Sequence, residues 1–411
     1  MSVFVSCGEV SGDLYAADLI QELLKEELDS LFDCPLDVKE SLRREESLCK
    51  EESLLNSSGK KGKIWGVMGP RGTEAGGEAT WSYEELKLMG IMEVLPAIPR
   101  ILKLRNRIAD EILRRKPSVV VVIDSPDFHF SLAARLRRKG YRGLTVFLVT
   151  PTVWAWRSGR TKLLREYFDL CLPLFSFEHD FLVARGVRSR WEAHPLVTAL
   201  RGYAAPDELT HRYRGERVIA LMAGSRRYDV KYHLAQLIKT AEILLSEGLL
   251  PVFSVAPGLS ESLRRELKER IGGFEAWEGE GRGLMAAAQA VAGVSGTVAV
   301  EAMLLRRFMV VIYNGKGLSW LIARALVRIP YISIPNYLAS DPVYPELLKN
   351  EARPDRIVAE LHAYLDDPEK KREIDRRLET ARNAMGTTRA SVFWARAIAE
   401  AKTETCTKNL A

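Results

Sequence analysis

Val119–Ile123, five consecutive β-branched apolar residues, constrains the fold more than any other stretch of the chain. A strand with no polar face must be covered on both sides, which predicts the centre of a parallel sheet between layers of helix. The flanking sequence repeats the same beat. Ser2–Cys7 is a short apolar run ending in Gly8-Glu9-Val10-Ser11-Gly12-Asp13, after which Leu14, Leu19, Ile20, Leu23 and Leu24 follow a helical spacing. Ile64–Met68 reads as a strand closed by Gly69-Pro70, and Pro99–Arg115 as a basic amphipathic helix. Ser131–Lys139 reads as a helix ended by Gly140, and Leu144–Val149 as a second buried strand. Strand and helix in alternation predict a doubly wound α/β sheet.

The beat restarts after His194-Pro195. Val218–Met222 is a strand leading into Gly224-Ser225-Arg226; a helix over Leu234–Glu247 and a strand over Pro251–Ala256 follow. Val291–Val294 runs into Ser295-Gly296-Thr297 and a helix over Val298–Leu305, then a strand over Phe308–Tyr313. A chain of 411 residues is long enough for two or three domains. The expected division is residues 1–195 and 196–385, two Rossmann-like halves with a cleft between them, and a helical tail over 386–411. Residues 26–63, rich in Glu, Lys, Ser and Leu, read as a solvated, partly helical insertion in the first half.

The rest of the sequence narrows the function class. No apolar run approaches the roughly 20 residues of a spanning helix, and Met1–Glu9 has no secretory-signal pattern. Five scattered cysteines without a C-x-x-C point to a reducing cytosol, and no histidine pair has zinc spacing, so no metal is expected. Sixty basic against 54 acidic residues leave +6, a mild bias that fits anionic substrates or an anionic membrane and does not call for nucleic acid.

In open α/β sheets ligands bind at the carboxyl ends of strands, so the polar clusters there are the candidate site. Gly8–Asp13 combines two glycines, which let backbone come close to a ligand, with a helix start; Ser11 or Asp13 as plain helix caps is the competing reading. Asp124, within Asp124-Ser125-Pro126-Asp127-Phe128-His129, projects from the most apolar strand and is placed to take a proton from an attacking hydroxyl, while Asp127 suits a helix cap. Trp154, Trp156 and Arg157, in Pro151-Thr152-Val153-Trp154-Ala155-Trp156-Arg157, form a rigid wall suited to sugar rings or acyl chains, or else to domain-edge packing. Arg226 can fork onto a diphosphate. Ser295, Gly296 and Thr297 offer free N–H groups at a helix start, and Glu301 one turn on is placed for a ribose diol; a Thr297 cap and a dipole-complementing Glu301 are the alternatives. No Walker lysine pattern occurs, which disfavours nucleoside triphosphate hydrolysis. Residues 86–107 interleave Leu, Ile, Met and Val with Arg100, Lys103, Arg105 and Arg107, a composition that serves a core face or docking on an anionic bilayer.

Taken in order, these clusters resemble the lipid-A-disaccharide synthase family. The blocks that carry the resemblance are Gly8–Asp13, Met89–Leu95, Ile123–Phe128, Pro151–Arg157 and Ser295–Thr297 with Glu301, together with Pro335-Asn336 and Pro345-Glu346-Leu347-Leu348. The resemblance implies a GT-B glycosyltransferase of two Rossmann-like halves, with C-terminal helices packing back on the first. It implies transfer of 2,3-diacylglucosamine from UDP to the 6-hydroxyl of 2,3-diacylglucosamine 1-phosphate, with inversion, giving a β-1,6 disaccharide 1-phosphate and UDP, and no cofactor. On that basis Asp124 is the general base. Arg226 and the Ser295–Thr297 helix start hold the diphosphate, and Glu301 holds the ribose. Glu9, Ser11 and Asp13 line the acceptor side, and Asn336 and His194 are further cleft residues. It also implies a cytoplasmic enzyme bound peripherally to the inner membrane, with homo-oligomerisation left open.

The chain departs from the family pattern at Ser125 and His129 (usually Ala and Asn), Ala193, Ala223, Lys349 and the long insertion; Lys349 and His129 bear on fine substrate contacts. A UDP-N-acetylglucosamine transferase or 2-epimerase on the same fold, and an inactive nucleotide-sugar-binding scaffold, are the competing functions. The Trp-Ala-Trp-Arg block and the joint presence of Asp124, Arg226 and Glu301 stand against them.

Overall fold

A computed structural model describes residues 2–25, 63–86, 91–314, 330–339 and 341–410. The expected insertion, apart from Lys63, lies outside the described residues, as do Leu88, Met89 and Gly90 and the side chains of Ile91–Ala97. The chain divides into two compact units, Met1–Pro195 with Thr388–Ala411, and Leu196–Thr387.

The first unit holds β1 (Ser2–Cys7), β2 (Lys63–Met68), β3 (Glu78–Ser82), β4 (Val119–Ile123), β5 (Leu144–Leu148) and β6 (Leu170–Leu172). They pair in parallel in the order β3-β2-β1-β4-β5-β6. All five residues of β4 are buried, as are those of β5, because helices cover both faces. The helices that matter here are α1 (Val10–Leu23), α2 (Pro70–Glu74), α3 (Ile91–Arg115), α4 (Pro126–Arg138) and α5 (Ser176–Val183).

The second unit repeats the plan with β7 (Val218–Met222), β8 (Leu250–Ser254), β9 (Glu275–Trp277), β10 (Ala290–Val294), β11 (Phe308–Tyr313) and β12 (Glu346–Leu348), in the order β12-β11-β10-β7-β8-β9. Its main helices are α6 (Arg227–Ser246), α7 (Gly281–Ala287) and α8 (Thr297–Leu304). Counted from its own first strand, each sheet has the Rossmann order, which reverses direction beside that strand; the switch points lie between β1 and β4 and between β7 and β10. The last helix, α9 (Ala390–Leu410), belongs to the first unit. Trp394 on α9 is fully buried and meets Tyr15 of α1 edge to face at 6.0 Å.

Several boundaries differ from expectation for local reasons. α3 starts at Ile91 and carries Pro96 and Pro99 near its beginning, although a proline normally marks a helix start. α4 starts five residues ahead of the expected Ser131, with Pro126 at its first position, where a missing N–H costs nothing. The edge strands β3, β9 and β12 went unread because none is fully buried and so none has a continuous apolar run, and the buried edge strand β6 because three residues are too short a run to stand out.

Candidate functional site

The two switch points collect most of the residues marked out by the sequence. In the first unit Cys7 of β1 pairs with Ile123 of β4, so the next residues, Gly8 and Asp124, emerge side by side. The Gly8 N–H donates to Asp124 Oδ1 at 3.0 Å. Asp124 Oδ2 is buried and has no hydrogen-bond partner among the described residues. The two glycines make room for this side chain: a β-carbon on Gly12 would stand 2.1 Å from Asp124 Oδ2, and one on Gly8 would stand 1.7 Å from Ser125 Oγ. The space expected to admit a ligand is filled by the strand-end carboxylate and its neighbour. Asp124 and Ser125 both have positive φ, 54° and 42°, a conformation that costs of order 1–3 kcal/mol per non-glycine residue and is held only by surrounding structure.

Burial lifts the Asp124 carboxyl to about 7, the nearby Glu9 charge adding to it and the Ser125 hydroxyl and Gly8 N–H pulling against it. A carboxylate balanced near neutrality is well matched to general-base work. Glu9 and Ser11 are exposed beside it.

Asp13 has a different part from the one expected. It is 2% exposed, and its carboxylate accepts from the N–H groups of Gly69, Arg71 and Gly72 at 2.7, 3.0 and 3.2 Å. It thus caps α2, joining α1 to the end of β2, and is spent structurally. His194 is likewise 3% exposed and stacked on Phe175 at 4.9 Å; desolvation lowers it to about 3, so it is a neutral packing residue. Asp127, read as a cap, is instead exposed in the first turn of α4, paired with Arg160 and 3.8 Å from Arg157.

Beyond β5, Trp154 donates from Nε1 to Glu178 Oε1 at 2.9 Å and meets Phe177 edge to face. Glu178 Oε2 accepts from the N–H groups of Leu174 and Phe175 at the start of α5. Burial raises this carboxyl to about 7, against the pull of its three donors. Trp156 is exposed, with the Arg157 guanidinium 4.3 Å over its ring.

In the second unit Gly224-Ser225-Arg226 leaves β7 and enters α6. Arg226 is exposed, with no ion pair among the described residues. At the other side of the switch point Gly296 caps α8 with φ 150°, a conformation that favours glycine, and nothing lies within 4 Å of where a β-carbon would be. Thr297 is the first residue of the helix rather than its cap. Ser295 Oγ donates to the carbonyl of Ile332 at 3.1 Å. Burial raises the Glu301 carboxyl; Arg282 opposes the shift and Glu280 adds to it.

Asn336 does not offer its amide to a ligand. It is 2% exposed, accepts from the N–H groups of Val343 and Tyr344, and donates to the Tyr344 carbonyl and Glu346 Oε1, all at 2.8–2.9 Å. Glu346 also accepts from Ile332 N, Ser333 N and Ser333 Oγ. These two residues form the frame of the 330–346 segment that meets Ser295. Glu346 was visible only as part of a quoted block. Glu178 carries a helix-start signal, an acid three residues after the N-cap, that sequence reading passed over. Arg282, which forks onto Glu280 at 2.7 Å, had no signal.

On α3, Ile98 and Leu102 are 40% and 41% exposed, flanked by exposed Arg100, Lys103 and Arg107, whereas Leu104 is core. No helix among the described residues is long and apolar enough to cross a membrane.

Comparison with known proteins gives consistent results. The family profile described as Lipid-A-disaccharide synthetase matches residues 48–397. The chain is 38% identical over 312 residues to the lipid-A-disaccharide synthase of Pseudomonas aeruginosa (strain UCBPP-PA14), covering 74% of this chain and 81% of the relative. It is 31% identical over 378 residues to that of Methylobacillus flagellatus, covering 89% and 90%. Among solved structures it resembles a putative UDP-N-acetylglucosamine 2-epimerase from Listeria monocytogenes (TM-score 0.58, 15% identity, 98% and 97% covered). It also resembles a glycosyltransferase from Rickettsia africae ESF-5 (TM-score 0.53, 10% identity, 97% and 98% covered). At those identities the structural likeness speaks for the fold alone.

Proposed function

Because the chain belongs to the lipid-A-disaccharide synthase family, we propose that it moves 2,3-diacylglucosamine from UDP to the 6-hydroxyl of 2,3-diacylglucosamine 1-phosphate, with inversion. The observation that carries the mechanism is the Asp124 carboxylate at the β1/β4 switch point, half-satisfied and balanced near neutrality. Inversion in one displacement needs a base on the acceptor hydroxyl and a grip on the departing diphosphate. Asp124 removes the hydroxyl proton as the oxygen attacks the anomeric carbon. Arg226 and the N–H groups at the start of α8 receive the charge that grows on the diphosphate. Glu301 holds the ribose, the charge of nearby Arg282 favouring its ionised form.

Glu9, Ser11, Trp156 and Arg157 are the exposed residues of the first unit assigned to the acceptor; Trp154 shapes that wall from behind through Glu178. Asp13, His194 and Asn336 support the site without contacting substrate. The exposed Ile98 and Leu102 among arginines and lysine suit insertion at an anionic bilayer surface, where both acylated substrates reside. On this reading the enzyme works peripherally on the inner membrane, from the cytoplasmic side.

The decisive measurement is UDP release from UDP-diacylglucosamine with and without the acylated sugar phosphate. Release that depends on the acceptor is expected. Equal turnover of non-acylated UDP-N-acetylglucosamine, or donor binding without acceptor-dependent release, refutes the reading.

A further inference from the structure

His129 is fully buried on α4, three residues inside the helix that follows Asp124, and the mechanism above gives it no part. Its ring bridges two strands. Nδ1 lies 2.7 Å from the backbone carbonyl of Asp124, and Nε2 lies 2.9 Å from Ser6 Oγ on β1. A carbonyl oxygen only accepts, so the proton sits on Nδ1; Nε2 then carries the lone pair, and the Ser6 hydroxyl donates to it. Every polar atom of the ring is thereby used. The rings of Phe128 and Phe147 close around it edge to face, at 5.4 and 6.3 Å.

The residue this bridge holds is the strained one. With φ of 54° at Asp124 and 42° at Ser125, the chain at the end of β4 is kept in place by what surrounds it. At its own oxygens the carboxylate is held by the Gly8 N–H and the neighbouring Ser125 hydroxyl, while Oδ2 has no partner among the described residues. A further anchor is on the backbone side, at the carbonyl, 2.7 Å from His129 Nδ1.

We propose that His129 is a positioning residue for Asp124, its Nδ1–H holding the Asp124 carbonyl and so fixing the carboxylate in the Gly8–Gly12 cradle, with Ser6 setting the ring's tautomer through Nε2. The proposal rests on the reading of Asp124 as the base. Burial holds His129 neutral, its pKa lowered to about 4, so the bridge persists across the working range of the enzyme. The titratable neighbours of Asp124 itself are Cys7 at the end of β1 and Glu9 after it; Asp13 of α1 stands against Cys7, 4.0 Å from its Sγ.

The test uses the full-length enzyme, with UDP release, the pH dependence of kcat/KM and thermal unfolding as readouts. The amide nitrogen of Asn lies as many bonds from the backbone as Nδ1, and that of Gln as many as Nε2. His129→Asn therefore keeps the donor to the Asp124 carbonyl and is expected to retain kcat within about threefold, whereas His129→Gln and His129→Phe lose kcat about 10- to 100-fold, the scale set by an ångström of misplacement. For the two impaired variants KM stays within about twofold, because ground-state binding is untouched. Their acid limb moves to lower pH, because a carboxylate released from its cradle is better solvated. A folded His129→Phe with unchanged kcat and pH profile overturns the proposal, as does equal impairment of the Asn and Gln variants, which would mean packing alone. Should His129→Phe fail to fold, the Asn–Gln pair still decides. Asp124→Asn is measured alongside: full turnover there removes the base reading, whereas an inactive Asp124→Asn with unaffected His129 variants removes only the positioning role.

Discussion

Gly12→Ala adds one methyl group at the point where the carboxylate of Asp124 has least room. The new carbon would stand 2.1 Å from Asp124 Oδ2 and 3.1 Å from both Asp124 Cγ and Cys7 Cβ. Non-bonded heavy atoms rest about 3.5 Å apart, so Oδ2 must retreat by roughly 1.4 Å. The retreat is not free, because Oδ1 is held by the Gly8 N–H. Two effects on stability oppose each other. Gly12 lies within α1, where Ala is better than Gly by up to about 1 kcal/mol, while overpacking costs about 1–3 kcal/mol. The net change is therefore at most about 2 kcal/mol, only a few degrees in Tm. The catalytic effect has no such offset: an ångström of misplacement costs about 100-fold, or about 2.7 kcal/mol in the barrier. UDP release at saturating donor and acceptor, with thermal unfolding of the same sample, separates the two. We expect kcat about 100-fold down with Tm nearly unchanged. A kcat within about threefold of the parent enzyme refutes the claim that the cradle sets the position of the base.

Four further outcomes follow from the same geometry. Asp124→Asn abolishes nearly all turnover. Because the folded-state pKa of Asp124 is raised to about 7, its favourable contribution is complete below about pH 4 and lost as pH rises through 7; the Asn variant should thus be more stable than the parent at pH 8 by a few kcal/mol, seen by urea unfolding at both pH values. Glu178→Gln puts an amide donor where three N–H donors converge, and should cost about 1–3 kcal/mol in urea unfolding and shift the fluorescence of Trp154. Asn336→Ala strips four hydrogen bonds from the 330–346 segment and should raise donor KM and lower Tm together; a change in KM alone would mean that Asn336 touches the donor after all. Ile98→Ser with Leu102→Ser should weaken flotation with anionic liposomes at least about tenfold, two buried aliphatic side chains being lost, while leaving UDP release from detergent-dispersed substrates intact.

The central strands were legible because full burial leaves a mark in composition: Val119–Ile123 and Val218–Met222 have no polar face to hide. β9 and β12 leave no such mark, since three residues at a sheet edge, only Leu347 among them buried, look like loop. The strand-end position of Asp124 was readable from the apolar run before it, and the helix start at Ser295–Thr297 from its small residues. For Asp13 and Asn336, residue type and motif membership gave no sign of the hydrogen bonds by which each holds a loop in shape. Those of Asp13 run to partners distant in sequence, such as Gly69. Ser6 and His129 are 123 residues apart and were joined by no pattern at all.

The return of α9 to the first unit makes synthesis order matter. Residues 2–195 leave the ribosome long before Trp394 exists, so the slot beside Tyr15 stays open while the entire second unit is being translated. During that interval the nascent first unit exposes the apolar surface that α9 covers, together with Arg188 and Arg190, which await Glu400 and Glu404. The first unit is thus completed only after the second has been made, and a chain interrupted before Ala390 would leave the slot beside Tyr15 open for chaperones.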